Sequence, residues 1–491
     1  MRYGHRPGTH RKARRLADRG HSSSTRAYLS SPERLSSATM PTSRSSGVVA
    51  NGVFADRRQS ILKQLRGAPL LVRSAPEVLR NGDVHYSYRQ DSNFKYLTGF
   101  DEPESILLAI PKGKGPNGKG RLRTILFVRP RNPAMEVWDG ERAGVRGAKK
   151  MYGADDAHPI EEFWDVFEEE SKDWDMLGYG LGCDPAFDRA LVDHFSRRWT
   201  GRPRRNQGLP TMVDPRPAIH EQRWIKSPME IEWLQRASDI SVSGHRVAMA
   251  IAQPGMYEYE VQAELEAVFR RDGSPRNGYD SIVASGANAC TLHYIKNDQK
   301  IRRGDLLLID AGAEYEQYSA DITRTFPVAR KFSDAQRAVY NVVLRCQKKC
   351  IKACKPGTPV RRLLDLSRRE LTKGLVELGV LRGRNIKKLV DDEKYKPWYM
   401  HGLGHWLGMD VHDVGPYETM AGKSVLMQPG MVTTVEPGLY FQKNDKRVPK
   451  ELRGIGVRIE DDVLITRGGC RVLSEAAPKE VRDVEKLVTG N

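Results

Sequence analysis

Short apolar runs and stretches of helical period alternate along most of this chain. Between residues 55 and 215 the runs Pro69-Leu70-Leu71-Val72, Ile106-Leu107-Leu108-Ala109-Ile110 and Arg123-Thr124-Ile125-Leu126-Phe127-Val128 have the length of buried strands. Residues 57–65, 160–171 and 186–199 read as helices. Strands mixed with helices predict a small α/β domain closing near Pro215-Arg216-Pro217. The run 112–120, rich in Gly and Lys, reads as a loop without P-loop spacing.

Beyond residue 216 one pattern occurs twice. Ser227-Pro228-Met229-Glu230 combines an N-cap serine, a first-turn proline and a capping-box glutamate. The helix it opens is expected to run to about Ala252 and stop at Pro254-Gly255, with a second helix over 258–271. From Ser333 a long helix reaches about Ala353, stops at Pro356-Gly357, and is followed by a helix over 360–378. Each helix pair leads to a histidine-bearing segment and then to a hairpin that buries acids. In the first hairpin Leu306 to Gly312 returns as Tyr318 to Val328 after a polar turn at 314–317. That turn would set Asp310 and Asp321 face to face, with Cβ atoms roughly 5 Å apart. In the second, 431–438 pairs with 456–463 and contributes Glu436 and Glu460. This duplicated pattern predicts both hairpins in one sheet, helices on its outer face, and the acids converging on a pseudo-twofold axis. The fold class is α/β (α+β).

Composition changes this picture only at the ends. A net charge of +18 is concentrated in an Arg- and Ser-rich start, so residues 1–54 read as a disordered basic tail. It is acid-poor like a transit peptide but lacks an apolar face. With no interleaved aromatic platform, nucleic acid is not an expected partner. No stretch approaches the ~20 apolar residues of a membrane span. The six cysteines form no CxxC pair, which favours free thiols and a reducing compartment, the cytoplasm. A mitochondrial location is the alternative if the tail is a transit peptide.

Two carboxylates pressed together in an apolar setting repel unless a proton or cation sits between them. Four such acids, with the segment Met400-His401-Gly402-Leu403-Gly404-His405-Trp406-Leu407-Gly408 between the hairpins, make a ligand set for two metal ions. The glycines argue against a helical histidine pair and for a loop or strand in close approach.

These residues also carry a resemblance. Ile309-Asp310-Ala311-Gly312, Asp321-Ile322-Thr323-Arg324-Thr325-Phe326, the His401–Gly408 string, Thr434-Val435-Glu436-Pro437-Gly438-Leu439-Tyr440 and Arg458-Ile459-Glu460-Asp461-Asp462 together resemble the catalytic domain of the pita-bread metallopeptidases over about 216–475. Upstream, Tyr88-Arg89-Gln90-Asp91-Ser92-Asn93-Phe94 and Glu136-Val137-Trp138 resemble the amino-terminal domain of the aminopeptidase P family. The resemblance implies a tail (1–54), an amino-terminal domain (55–215) and a catalytic domain (216–491). It implies an Xaa-Pro aminopeptidase acting on peptides with proline second, with prolidase as the alternative, and a homodimer or homotetramer. Asp310 would hold one metal, Asp321 and Glu460 would bridge two, and His405 and Glu436 would complete the second site. His293, His401 and His412 would position substrate or its tetrahedral intermediate, with a protonated His293 or His412 holding the anion. Arg458 and Tyr440 would support them, Glu436 would shuttle a proton, and Trp138 would line the substrate pocket of a neighbouring subunit. Oxygen-rich ligation with one imidazole suits manganese before zinc, with cobalt as a further substitute.

Overall fold

The first described element is a helix, Gly47–Gln64, which starts inside the segment expected to be a disordered tail. The computed structural model describes residues 47–114, 120–201 and 208–490, so the rest of that tail, 1–46, lies outside the described residues. The three strands expected upstream form the middle of a six-stranded sheet. Its order is Asp156–Pro159, Gly120–Val128, Ile106–Lys114, Leu70–Arg73, Met176–Gly178, Thr211–Val213. The three central strands pair antiparallel, and the outer ones join in parallel. Asp91 caps the short helix Ser92–Thr98 by accepting from the Phe94 backbone N–H, and Phe94 and Leu97 pack against Leu70, Leu107 and Leu126 of this sheet.

The helix starts in the second half follow their caps. Ser227 and Glu230 close a capping box on Pro228–Ile251, and Ser333 and Gln336 close another on Asp334–Ala353. With Glu258–Arg271 and Val360–Glu377 these helices bury Ile240, Leu265, Phe269, Val343 and Leu371 against strand residues such as Leu307, Ile309, Val435 and Val457. Cys346 and Cys350 lie buried on the inner side of their helix, and all six cysteines are free.

The hairpins do not share one continuous ladder as expected. Leu306–Asp310 pairs with Ile282–Ser285 on one side and Thr323–Pro327 on the other. Val432–Val435 pairs with Asp461–Thr466, while Gly438–Tyr440 pairs separately with Gly456–Arg458. Pro437 has no N–H to donate, and Glu436 and Glu460 occupy the break it causes. The two hairpins meet through the Glu460 backbone N–H on the Thr323 carbonyl (3.1 Å) and the Thr325 hydroxyl on the Arg458 carbonyl (2.9 Å). Interrupted ladders leave the acid side chains free of strict alternation at the seam.

Candidate metal centre

The register of the first hairpin differs from expectation. Asp310 pairs with Thr323 and Ile309 with Arg324. The ladder continues through Glu314 with Ser319 and Tyr315 with Tyr318, so the turn is the two-residue pair Glu316-Gln317, with φ of 50° and 62°. Both residues thus take the positive φ of a type I′ turn without glycine. Asp321 therefore stands across from Gly312, diagonal to Asp310 on the same face. Only glycine fits there, since a Cβ on Gly312 would lie 1.8 Å from the Ala320 carbonyl oxygen. The Tyr279 hydroxyl closes the diagonal, 2.6 Å from both Asp310 Oδ1 and Asp321 Oδ1. One hydroxyl proton cannot serve two carboxylates, so this contact calls for a further proton or a cation.

The second hairpin is formed by the two strands named from the sequence, which had left their register open. Val435 pairs with Asp461 and Gly438 with Arg458, which sets Glu436 across from Glu460. The segment 401–407 is extended, not helical. Leu407 N–H donates to the Val432 carbonyl (3.1 Å), Thr434 N–H to that of His405 (2.9 Å), and Glu436 N–H to that of Leu403 (2.8 Å). This pairing brings His405 over the acids. Its Nδ1–H donates to the Trp406 carbonyl (3.0 Å), and Nε2 faces Asp321 Oδ2 (3.2 Å) and Glu436 Oε1 (3.7 Å), to which it donates when the ring is protonated.

Ligand atoms of Asp321, His405 and Glu460 all lie within 4.8 Å of one another. Without a cation the acids strain against each other. Burial, then Asp321, Glu436 and Asp310, push Glu460 far above the usual carboxylate range. Burial lifts Glu436 to about 7 despite His405 beside it, and lifts Asp310 despite Arg458. Burial lifts Asp321 too, but the hydrogen bond and charge of His405 outweigh it and leave Asp321 low. His405 in turn rises to about 9, because its contact with Asp321 outweighs burial. A donor set of four carboxylates and one imidazole in this state fits divalent cations, which would replace the displaced protons.

The supporting residues fall into three groups. Arg458, fully buried, donates to Asp310 Oδ2 (2.6 Å), Thr323 Oγ1 (3.1 Å) and Tyr440 Oη (3.2 Å). Tyr440 O–H then donates to His401 Nε2 (2.9 Å), while His401 Nδ1–H donates to the Gly402 carbonyl (2.7 Å). Burial, then the charge of Arg458, depress His401 to about 4. His412 is exposed, with its ring 4.2 Å from that of His405. Burial, then the charge of His405, push it below its ordinary value. His293 is exposed in the stretch after the turn Gly286–Cys290 and acts electrostatically on both His401 and His412. Trp138 is not brought to this group. It is 82 % exposed on the helix Pro133–Asp139.

Sequence reasoning missed Tyr279 and Thr323. Thr323 shares the face of Asp321 two positions on, a signal available from strand alternation, and its hydroxyl donates to Glu460 Oε2 (2.6 Å). Tyr279 precedes the strand Ile282–Ser285 and carries no periodic signature. Tyr279→Phe is expected to weaken divalent-metal affinity about 10–100-fold with little change in thermal midpoint. Chelator competition monitored against wild type would check this, and equal affinities would refute it.

Residues 232–467 match the family model described as metallopeptidase family M24, and residues 54–176 match that of the aminopeptidase P N-terminal domain. The chain is similar to the Xaa-Pro aminopeptidase of Haemophilus influenzae, 41% identical over 89% of this chain and 96% of that protein. It is 40% identical to the Xaa-Pro aminopeptidase of Escherichia coli over 89% of this chain and 97% of that one. Among solved structures, Pseudomonas aeruginosa aminopeptidase PepP superposes with a TM-score of 0.85 at 43% identity, covering 90% of this chain and 98% of that one.

Proposed function

Because this chain belongs to metallopeptidase family M24 and carries the aminopeptidase P N-terminal domain, we infer that it is a metal-dependent aminopeptidase hydrolysing the N-terminal Xaa-Pro bond of peptides. The observation that carries this reading is the convergence of Asp310, Asp321, His405, Glu436 and Glu460 at the meeting of two hairpins. A binding protein on an inactive version of the fold has no need of all five.

Asp310 would hold one ion, Asp321 and Glu460 would be shared, and His405 with Glu436 would hold the other. Divalent ions held by these residues would supply Lewis acidity to the scissile carbonyl and to the attacking water. The donor set favours manganese over zinc or cobalt. Glu436, at the edge of the same acid group, would carry a proton to the leaving nitrogen. The nitrogen of an Xaa-Pro bond has no hydrogen to be gripped, so recognition falls to packing of the ring. His401, held by Tyr440 and Arg458, supplies a fixed edge for that packing. His412 and His293 supply N–H donors to the oxygen that gains charge.

The subunits associate as a homodimer or homotetramer in which Trp138 closes a neighbour's pocket. In support, Val137 and Trp138 stand 82% exposed, and Val78, Leu79, Val84 and Tyr86 cluster uncovered along the hairpin Leu79–Asn81/Val84–His85. Free cysteines support a reducing compartment, the cytoplasm. Among the described residues no helix is long and apolar enough to cross a membrane.

The test is a manganese-dependent assay of Arg-Pro-Pro and Gly-Pro side by side, with Asp321→Ala as control. Release of arginine from the tripeptide, lost in the variant, is expected. Turnover of the dipeptide alone would assign a prolidase, and no turnover of either would refute catalysis.

A further inference from the structure

The motif Tyr88–Phe94 belongs to the amino-terminal domain, yet most of its polar groups are spent on the catalytic domain. Arg89 Nε donates to Glu314 Oε2 (2.7 Å), and Nη2 donates to the Met409 carbonyl (2.6 Å). Glu314 is buried in the hairpin arm between Asp310 and Asp321, and its other oxygen accepts from Arg276 (2.7 Å). Met409 lies between His405 and His412. One guanidinium thus touches both halves of the metal centre. Its third nitrogen, Nη1, donates to Ser92 Oγ (3.1 Å), whose hydroxyl donates to Asp410 Oδ1 (2.6 Å). Asn93 accepts from Arg223 (2.8 Å), which donates to Asp410 (2.8 Å) and Asp413 (2.6 Å), while Lys226 completes Asp413 (2.9 Å). The Gln90 carbonyl accepts from Gln317 (2.9 Å), which helps hold the positive-φ turn between the two aspartates.

We propose that Arg89 is a positioning residue that sets the spacing between the Asp310–Asp321 hairpin and the His405–His412 segment, with Ser92 fixing the His412 end. The physical reason lies in the two targets. One is a turn strained at two residues, and the other is a bend over 408–413 without a regular ladder. The hairpin arm is paired on both sides, Glu314 with Ser319 and with Arg276, and the Ser319 N–H donates to the Gly408 carbonyl (2.9 Å), so Arg89 adds a side-chain tie to a backbone contact between the two. A planar fork with fixed donor directions spans them, whereas two separate point charges would leave their separation free. The amino-terminal domain is then part of the scaffold of the site. The inference rests on the metallopeptidase reading only for its kinetic consequence.

The test compares Arg89→Ala, Arg89→Lys and Ser92→Ala in the full chain. The measurements are metal-free thermal midpoint, Mn²⁺ dissociation constant by chelator competition, and kcat and KM on Arg-Pro-Pro. Arg89→Ala is expected to raise the Mn²⁺ dissociation constant and lower kcat, each about 10–100-fold, with KM changed less than about threefold. Arg89→Lys keeps the charge but not the fork and falls between. Ser92→Ala lowers kcat but leaves Mn²⁺ affinity near wild type, because it loosens only the His412 end. A contact that merely glues domains would lower the midpoint while folded protein keeps wild-type affinity and kcat, and that result overturns the proposal. If Arg89→Ala does not fold, Arg89→Lys decides by the same criterion. Should wild type bind Mn²⁺ without hydrolysing peptide, the functional reading fails, and Arg89 is still judged on affinity.

Discussion

Glu460→Gln is expected to abolish turnover and, at the same time, to stabilise the metal-free protein. Glu460 is buried, faces Glu436 across the strands, and lies with Asp321 and His405 in one ligand group. Glutamine keeps the shape and the Thr323 contact but removes an anionic oxygen from the position proposed to be shared by both ions. Losing the charge stabilisation of one ion is worth several kcal/mol, so kcat/KM should fall by roughly 10³-fold or more. The stability effect has the opposite sign. Folding metal-free protein above pH 4.5, the ordinary value for this carboxyl, forces it to keep a proton that the unfolded chain releases. That cost grows as pH rises from 4.5 toward the raised folded value. Glutamine carries no such cost, and the gain at pH 7.5 should be roughly 1–4 kcal/mol. Thermal melts with EDTA and with Mn²⁺ would show a higher metal-free midpoint and a smaller metal-induced rise than wild type. A lower metal-free midpoint would contradict the account of the acids as a mutually repelling set awaiting cations.

Gly404→Ala should damage both fold and centre, while Gly402→Ala, two residues away, should be mild. A Cβ at Gly404 would meet the Thr434 carbonyl oxygen at 2.1 Å and its carbon at 2.7 Å. Thr434 cannot retreat, because its strand is paired on the other side to Asp461–Thr466. The histidine segment must move instead, and it takes His405 with it. Overpacking of this kind costs roughly 3 kcal/mol, and a displaced ligand about 10–100-fold in metal affinity. At Gly402 the nearest atom to a Cβ, Gly404 N, is 4.0 Å away. Equal effects of the two substitutions on melting and Mn²⁺ affinity would show that the clash is not what excludes a side chain.

Much of this was legible in the chain. The two capping boxes, the Pro-Gly stops and the helix over 258–271 are local signals, and the structure places those elements where they point. Glu436 faces Glu460 because an apolar alternating ladder fixes register across the long loop between its strands. The first hairpin departed by two residues because its turn is carried by Glu316 and Gln317, which advertise no positive φ. Tyr279 and Arg89 were illegible for a different reason. Each acts through one hydroxyl or one guanidinium on partners distant in sequence, and a single polar contact leaves no period.

What the sequence determined by itself is the set of chemical parts and the local elements carrying them, since caps, breakers and apolar period act over a few residues. Only the tertiary structure decided how those parts meet: Asp321 diagonal to Asp310 and bridged by Tyr279, His401 bonded to Tyr440, and an amino-terminal arginine joining the first hairpin to the histidine segment. Those relations depend on where separate segments pack, and packing is a property of the whole core, which no short window of residues contains.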